Sequence, residues 1–173
     1  MNKVLTIALA ISIAIGSSSL LAKNNIDLAS EEYNRQIAAE VECLALNIYF
    51  ETHAVSLADA VAVSDVVLNR VKSSNYPNTV CKVVKQGYYD SNGSPIRHKC
   101  QFSWWCDGKS DNPKNYEAWE RSLAVAREIY LADSFIGITE GSTHYHANYV
   151  TPEWSNQFTR VTRIGSHIFY RQK

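Results

Sequence analysis

The stretch Tyr33-Asn34-Arg35-Gln36-Ile37-Ala38-Ala39-Glu40-Val41-Glu42-Cys43-Leu44-Ala45-Leu46-Asn47-Ile48-Tyr49-Phe50-Glu51 decides how this chain is read. Tyr33, Ile37, Val41, Leu44 and Ile48 recur at steps of three and four, so a helix gathers them into one apolar stripe. Glu51 is the next position on that stripe. An ionised carboxylate taken out of water without a partner is costly, and the usual response is a raised pKa and a retained proton. That is the property a general acid needs. A Glu at a fraying helix end, reaching solvent or pairing with a nearby Arg, has the same spacing, so the stripe alone leaves both readings open.

Residues 1–22 read as an export segment. Lys3 is followed by an uncharged run over 4–15, then Gly16, Ser17, Ser18, Ser19 and Ala22. These are the charged, apolar and small-residue regions of a secretory signal, although Leu20 fits poorly three places before a cut at Ala22. A weakly apolar, releasable membrane anchor over 4–22 is the second reading. Under either, residues 23–173 form one domain that works outside the cytoplasm, in the periplasm or the extracellular envelope. Contact with a membrane is expected only through this segment, if it is uncleaved.

Of 17 basic and 17 acidic residues, Lys3 alone falls in residues 1–22, leaving a net charge of about −1 on the remainder. No Lys/Arg run or basic stripe occurs, which argues against a nucleic-acid partner. The roughly 150 remaining residues suffice for a core of ordinary size, and a monomer is expected.

All four cysteines, Cys43, Cys81, Cys100 and Cys106, follow the export segment, so two disulfides are expected. Of the three pairings, Cys81 with Cys100 would close the polar hairpin between them. Cys43 with Cys106 would pin the Trp104 segment against the Glu51 helix. A nucleophilic Cys43 fits poorly, because it lies in a helix interior rather than at a helix N-terminus.

Ser56-Leu57-Ala58-Asp59 resembles a capping box and opens a second helix with Ala60, Val63, Val67 and Val71 on one face. Asn78 or Thr79 caps a short helix through Val84, and Asn92-Gly93 marks a hairpin turn. After Pro113, a further helix carries Tyr116, Trp119, Leu123, Ala126 and Tyr130 at steps of three and four. From Thr139 onward, β-branched and aromatic residues broken by Gly141, Pro152 and Gly165 predict short strands.

Three later segments offer groups for a site around Glu51. Cys100-Gln101-Phe102-Ser103-Trp104-Trp105-Cys106 combines aromatic faces, which stack on sugar rings, with an amide and a hydroxyl. A core aromatic cluster clamped by a disulfide is the plainer reading, above all for Trp105. Thr143-His144-Tyr145-His146-Ala147-Asn148 puts His144 and His146 on one face of a strand. They suit a polar cleft lining, or two metal ligands with a third from Glu153 or His167, although no HExxH accompanies them. Ile164-Gly165-Ser166-His167 brings two polar groups after a glycine bend, and a satisfied strand-end His is the plainer reading for His167.

With Leu44-Ala45-Leu46-Asn47-Ile48-Tyr49-Phe50-Glu51, Val61-Ala62-Val63-Ser64-Asp65-Val66-Val67-Leu68-Asn69-Arg70-Val71 and Tyr76-Pro77-Asn78-Thr79-Val80-Cys81, these segments form an ordered set over about 38–171. The set resembles the SleB/CwlJ family of cell wall hydrolases. The resemblance implies an α+β, lysozyme-like fold with a mainly helical body and a small antiparallel strand region. It also implies peptidoglycan as partner and Glu51 as the catalytic acid and base. Family members commonly follow that Glu with Ala-Arg-Gly-Glu, whereas this chain has Thr52-His53-Ala54-Val55. A second acid is therefore missing, and Asp59 or His53 is left to take its place.

Glycoside hydrolases usually need two carboxylates. With no evident second acid beside Glu51, a lytic transglycosylase is expected, in which the muramic acid C6 hydroxyl attacks its own anomeric carbon. Gln101, Phe102, Ser103, His144, Tyr145, Asn148 and Ser166 are the candidate sugar contacts, and no metal or cofactor is called for. A muramidase, an N-acetylmuramoyl-L-alanine amidase with zinc at His144 and His146, and a non-catalytic wall-binding module are the alternatives.

Overall fold

The computed structural model describes residues 3–53 and 56–172; for residues 3–22 and 24 it describes the backbone alone. The side chains of the expected export segment therefore lie outside the described residues, as do Ala54 and Val55 of the segment after Glu51. Among the described residues, no helix is long and apolar enough to cross a membrane. The chain divides into two compact units, Met1–Ala38 and Ala39–Lys173. The first is helical, and its described side chains are exposed except for half-buried Ile37. The second begins where the family resemblance begins.

Helix α1 is assigned over Lys3–Thr52. Its expected stripe starts later than the spacing suggests: Tyr33 is 63% exposed, and burial begins at Val41 and continues through Leu44, Ala45 and Ile48. Helix α2, Leu57–Lys72, opens on Ser56, whose side chain accepts from the Asp59 amide. This is the expected cap. The expected single apolar face is too narrow, because Asp59 through Leu68 are all buried. A helix enclosed all round is a core helix, and α2 packs against α3 (Val80–Val84), α4 (Tyr116–Ala132) and the strand region. On α4 the buried face is Ala118, Ser122, Ala126 and Ile129; of the expected stripe, Ala126 is buried, Trp119, Leu123 and Tyr130 are half-buried, and Tyr116 is 74% exposed. The small residues let α4 approach α2 closely, and the Ser122 hydroxyl is satisfied by the Ala118 carbonyl at 2.9 Å.

Strands β1 (Gly87–Tyr89) and β2 (Pro95–Cys100) form the hairpin expected around Asn92-Gly93. Gly93 has φ 78°, and the Asp90 side chain accepts from the Asn92 and Ser94 amides. A second antiparallel sheet has the order β3-β5-β4, from β3 (His144–Ala147), β4 (Thr159–Ile164) and β5 (His167–Arg171). Phe169 of β5 is fully buried against Ala62 and Val66 of α2.

The disulfides correct the expected pairing: Cys43 joins Cys81, and Cys100 joins Cys106. Glu40, three residues before Cys43, accepts from the Val80 and Cys81 amides at the start of α3, which brings Cys81 to α1. The hairpin is already closed by β pairing of Gly87 with Cys100, and a 3-10 turn over Ser103–Cys106 carries Cys106 back to Cys100. The Trp104 segment is still held against α1, but by its own side chain. Trp104 Nε1 donates to Asn47 Oδ1 at 3.1 Å, and its ring stacks on Phe50 at 4.8 Å.

Candidate active site

Glu51 stands in the last turn of α1, half-buried. Thr52 bonds back to the Ile48 carbonyl, and His53, at φ 51°, takes the left-handed conformation that ends a helix. Burial raises the Glu51 carboxyl above its ordinary range. A hydrogen bond from Tyr145 and the charges of His167, Arg70 and His53 oppose this without cancelling it. The Tyr145 hydroxyl donates to Glu51 Oε2 at 3.0 Å. Burial, followed by the neighbouring Glu51 charge, pushes the Tyr145 phenol upward, so it stays a donor.

The sheet fixes Tyr145. Tyr145 pairs with Phe169 across β3 and β5 on the face that meets α2, and His167 stands edge-on to its ring at 5.2 Å. His167 Nδ1 is 2.8 Å from Asp59 Oδ1, which also accepts from the Ser166 amide at 2.9 Å and hydroxyl at 3.1 Å. Burial works against ionisation of Asp59, but the bonds from His167 and Ser166 outweigh it and hold the carboxyl low. Gly165 has φ 55°, and a Cβ there would collide with the Asp59 carboxylate.

Polar side chains on α2 anchor the segment that enters β3. Asp65 accepts from the Gly137 amide and from the Thr139 amide and hydroxyl, while Asn69 donates to the Ser142 carbonyl. Arg70, 5% exposed, donates from Nε to the Thr143 carbonyl at 2.8 Å, with its guanidinium between the Tyr76 and Phe102 rings at 5.3 and 5.2 Å. Buried Asn47 Nδ2 and Arg70 Nη1 have no hydrogen-bond partner among the described residues.

The expected contacts divide. Tyr145 is on Glu51. Phe102 is buried beneath Arg70, and Ser103 opens onto a cavity beside Phe50 and His53. Gln101 is exposed at the end of β2, and Asn148 is exposed with its amide on the Ser166 carbonyl. Ser166 does not turn its hydroxyl to Glu51; it is held by Asp59. His144 lies on the opposite face of β3 from Tyr145, among Tyr76, Trp154 and Phe158, where burial first and Arg70 second lower its pKa to about 4. His146 shares that face, and both its ring nitrogens are occupied, by the Ala147 carbonyl and the Tyr170 hydroxyl. His167, one of the two third ligands offered, is on the other face and does not join them. Trp104 is the buried Trp of its segment, whereas Trp105 is half-buried with Lys85 4.7 Å over its ring.

The cell wall hydrolase family matches residues 56–170. The chain belongs to that family. The SleB/CwlJ resemblance in the motifs is thereby established, and with it a role in degrading cell wall peptidoglycan. The family match begins at Ser56, so Glu51 lies just ahead of it. Among solved structures, the family member is similar to the catalytic domain of the Bacillus cereus SleB protein, at 24% identity with a TM-score of 0.52. The match covers 76% of this chain and 89% of that one. It is also similar to the catalytic domain of the germination-specific lytic transglycosylase SleB from Bacillus anthracis, at 23% identity, 76% and 93% coverage and a TM-score of 0.52. At these identities the likeness is one of fold, and it gives this cell wall hydrolase the expected lysozyme-like α+β architecture. A comparison with curated proteins finds no match.

Proposed function

We propose that this cell wall hydrolase is a lytic transglycosylase that cuts the glycan backbone of peptidoglycan with Glu51 as its single acid and base. The observation that carries the reading is the Glu51–Tyr145 pair. The carboxyl is half-buried and held toward its protonated form, while a phenol fixes one of its oxygens. Protonated Glu51 gives its proton to the glycosidic oxygen as the bond to the anomeric carbon breaks. The resulting carboxylate, favoured by the Tyr145 bond and the Arg70 charge, then takes the proton from the muramic acid C6 hydroxyl as that oxygen closes on the same carbon. The product carries a 1,6-anhydro ring and no water is consumed. Asp59, the acid that the sequence offers as a substitute for the missing one, spends Oδ1 on His167 and Ser166, which supports chemistry with one carboxylate. Gln101 and Asn148 are the proposed sugar contacts, with residues 1–22 directing the enzyme to the envelope as a signal or anchor.

Mass spectrometry of muropeptides released by the purified protein tests the reaction. Disaccharide peptides one water lighter than muramidase products, with no reducing end open to borohydride, are the expected result. Ordinary reducing ends would make it a muramidase. Free stem peptides suppressed by chelator would make it an amidase, and sacculus binding without release would leave a wall-binding module.

A further inference from the structure

A cavity of about 420 Å³ lies beside the last turn of α1, lined there by Tyr49, Phe50 and His53 and not by Glu51 itself. Tyr49, Phe50 and Trp104 form an aromatic wall, and the segment after the 3-10 turn brings Asp107, Lys109, Asp111 and Lys114 to the rim. The Tyr49 hydroxyl accepts from the Lys114 and Asn115 amides at 3.0 and 3.1 Å, which fastens that rim to α1. The cavity is thus built by tertiary contacts, and its size suits a small ligand.

Its charges do not match a sugar chain. N-acetylated glycan is uncharged wherever the lactyl carboxyl of muramic acid is amide-linked to its peptide, so two cations and two anions gain nothing from it. The stem peptide carries both signs: free carboxylates and, where its third residue is a diamino acid, an ammonium. Lys109 pairs with Asp107 at 3.5 Å. Asp111 is pushed upward by burial and by the charge of Asp107, so a cationic group entering the cavity would relieve it.

We infer that this cavity is a subsite for a zwitterionic stem peptide of the bound strand, with Lys109 and Lys114 facing its carboxylates and Asp111 its ammonium. The assignment rests on the peptidoglycan reading above. It makes the enzyme selective for peptide-bearing over naked glycan.

Two measurements test it. Turnover of glycan strands bearing stem peptides is compared with turnover of the same strands after amidase has removed the peptides and the freed lactyl carboxyls have been converted to simple amides. Binding of free stem tetrapeptide to the full protein is followed by NMR. Wild type should favour peptide-bearing strands by about tenfold in kcat/KM, as one or two charge-assisted bonds would give. Lys109→Ala with Lys114→Ala should bring that ratio toward one and abolish the tetrapeptide shifts at Trp104, while Lys→Arg at both restores them. Both lysines are exposed, so the fold should survive. Equal turnover of both strands by wild type, or a ratio unchanged in the double variant, overturns the subsite and leaves the glycan-cleaving function standing. Tetrapeptide binding with no cleavage of either strand overturns the function and leaves the subsite.

Discussion

Tyr145 and Glu51, 94 positions apart in the chain, share a hydrogen bond of 3.0 Å that joins the end of the first helix to the sheet. The bond favours the charged carboxylate, while burial favours the neutral acid and wins. Tyr145→Phe removes the opposing bond, so the Glu51 pKa rises further. The alkaline limb of the pH–rate profile, where the acid loses its proton, should therefore move to higher pH, with a loss at the optimum on the order of tenfold. A profile that moves to lower pH would remove Tyr145 from this role.

Glu51→Gln has nearly the same shape and cannot donate the proton, so activity should fall on the order of 10²-fold or more with the fold intact. Its stability should rise at neutral pH. A carboxyl whose folded pKa lies above its ordinary 4.5 stabilises the fold below that value and loses the contribution as pH rises through the folded pKa. Thermal melts at pH 4 and pH 7 should show the variant gaining on wild type only at the higher pH. A variant that melts lower at pH 7 would mean that Glu51 is structural.

Asp59 has the opposite sign. Its folded pKa lies below the ordinary 3.8, so its contribution is present above that value and fades as pH falls through the folded pKa. Asp59→Asn should cost about 1.5–3 kcal/mol at neutral pH, the scale of hydrogen bonds to a charged group. The gap should close in melts below pH 4; a constant gap across that range would mean that the charge is not what matters.

The two disulfides should differ in weight. Loop-closure entropy grows with the loop spanned, so Cys43–Cys81, separated by 38 positions, should contribute about 4 kcal/mol and Cys100–Cys106, separated by 6, about 2 kcal/mol. Non-reducing peptide mapping should find these pairs, and melts of the two double-Ala variants should rank them. Finding Cys81 on Cys100 would return the pairing to the one that the sequence suggests.

Much of the fold was legible in local chemistry: the Ser56 and Thr79 caps, the Asn92-Gly93 turn and the C-terminal strands all follow from short-range rules. Glu51 stood out because an acid on an apolar stripe is a local anomaly. The buried face of α4 is only partly legible because aromatic residues dominate a periodicity argument, whereas Ala118 and Ser122, outside the expected stripe, pack inward by being small. Arg70 and the Asp59–His167 pair were missed for a different reason. Their partners are 73 and 108 positions away, and only the fold brings them together. The available signal is the set of polar residues Asp59, Asp65, Asn69 and Arg70, spaced along a helix rich in Ala and Val.

The order of strands in the second sheet makes the Tyr145–Glu51 bond depend on β5. β5 follows β3 and β4 in the chain, yet it lies between them and carries the Phe169 that seats Tyr145 over α2. With only the two outer strands in place, the sheet has no strand to hold Tyr145 against Glu51. The Tyr145–Glu51 pair is therefore assembled only once β5 closes the sheet, so truncation before residue 167 should separate Tyr145 from Glu51.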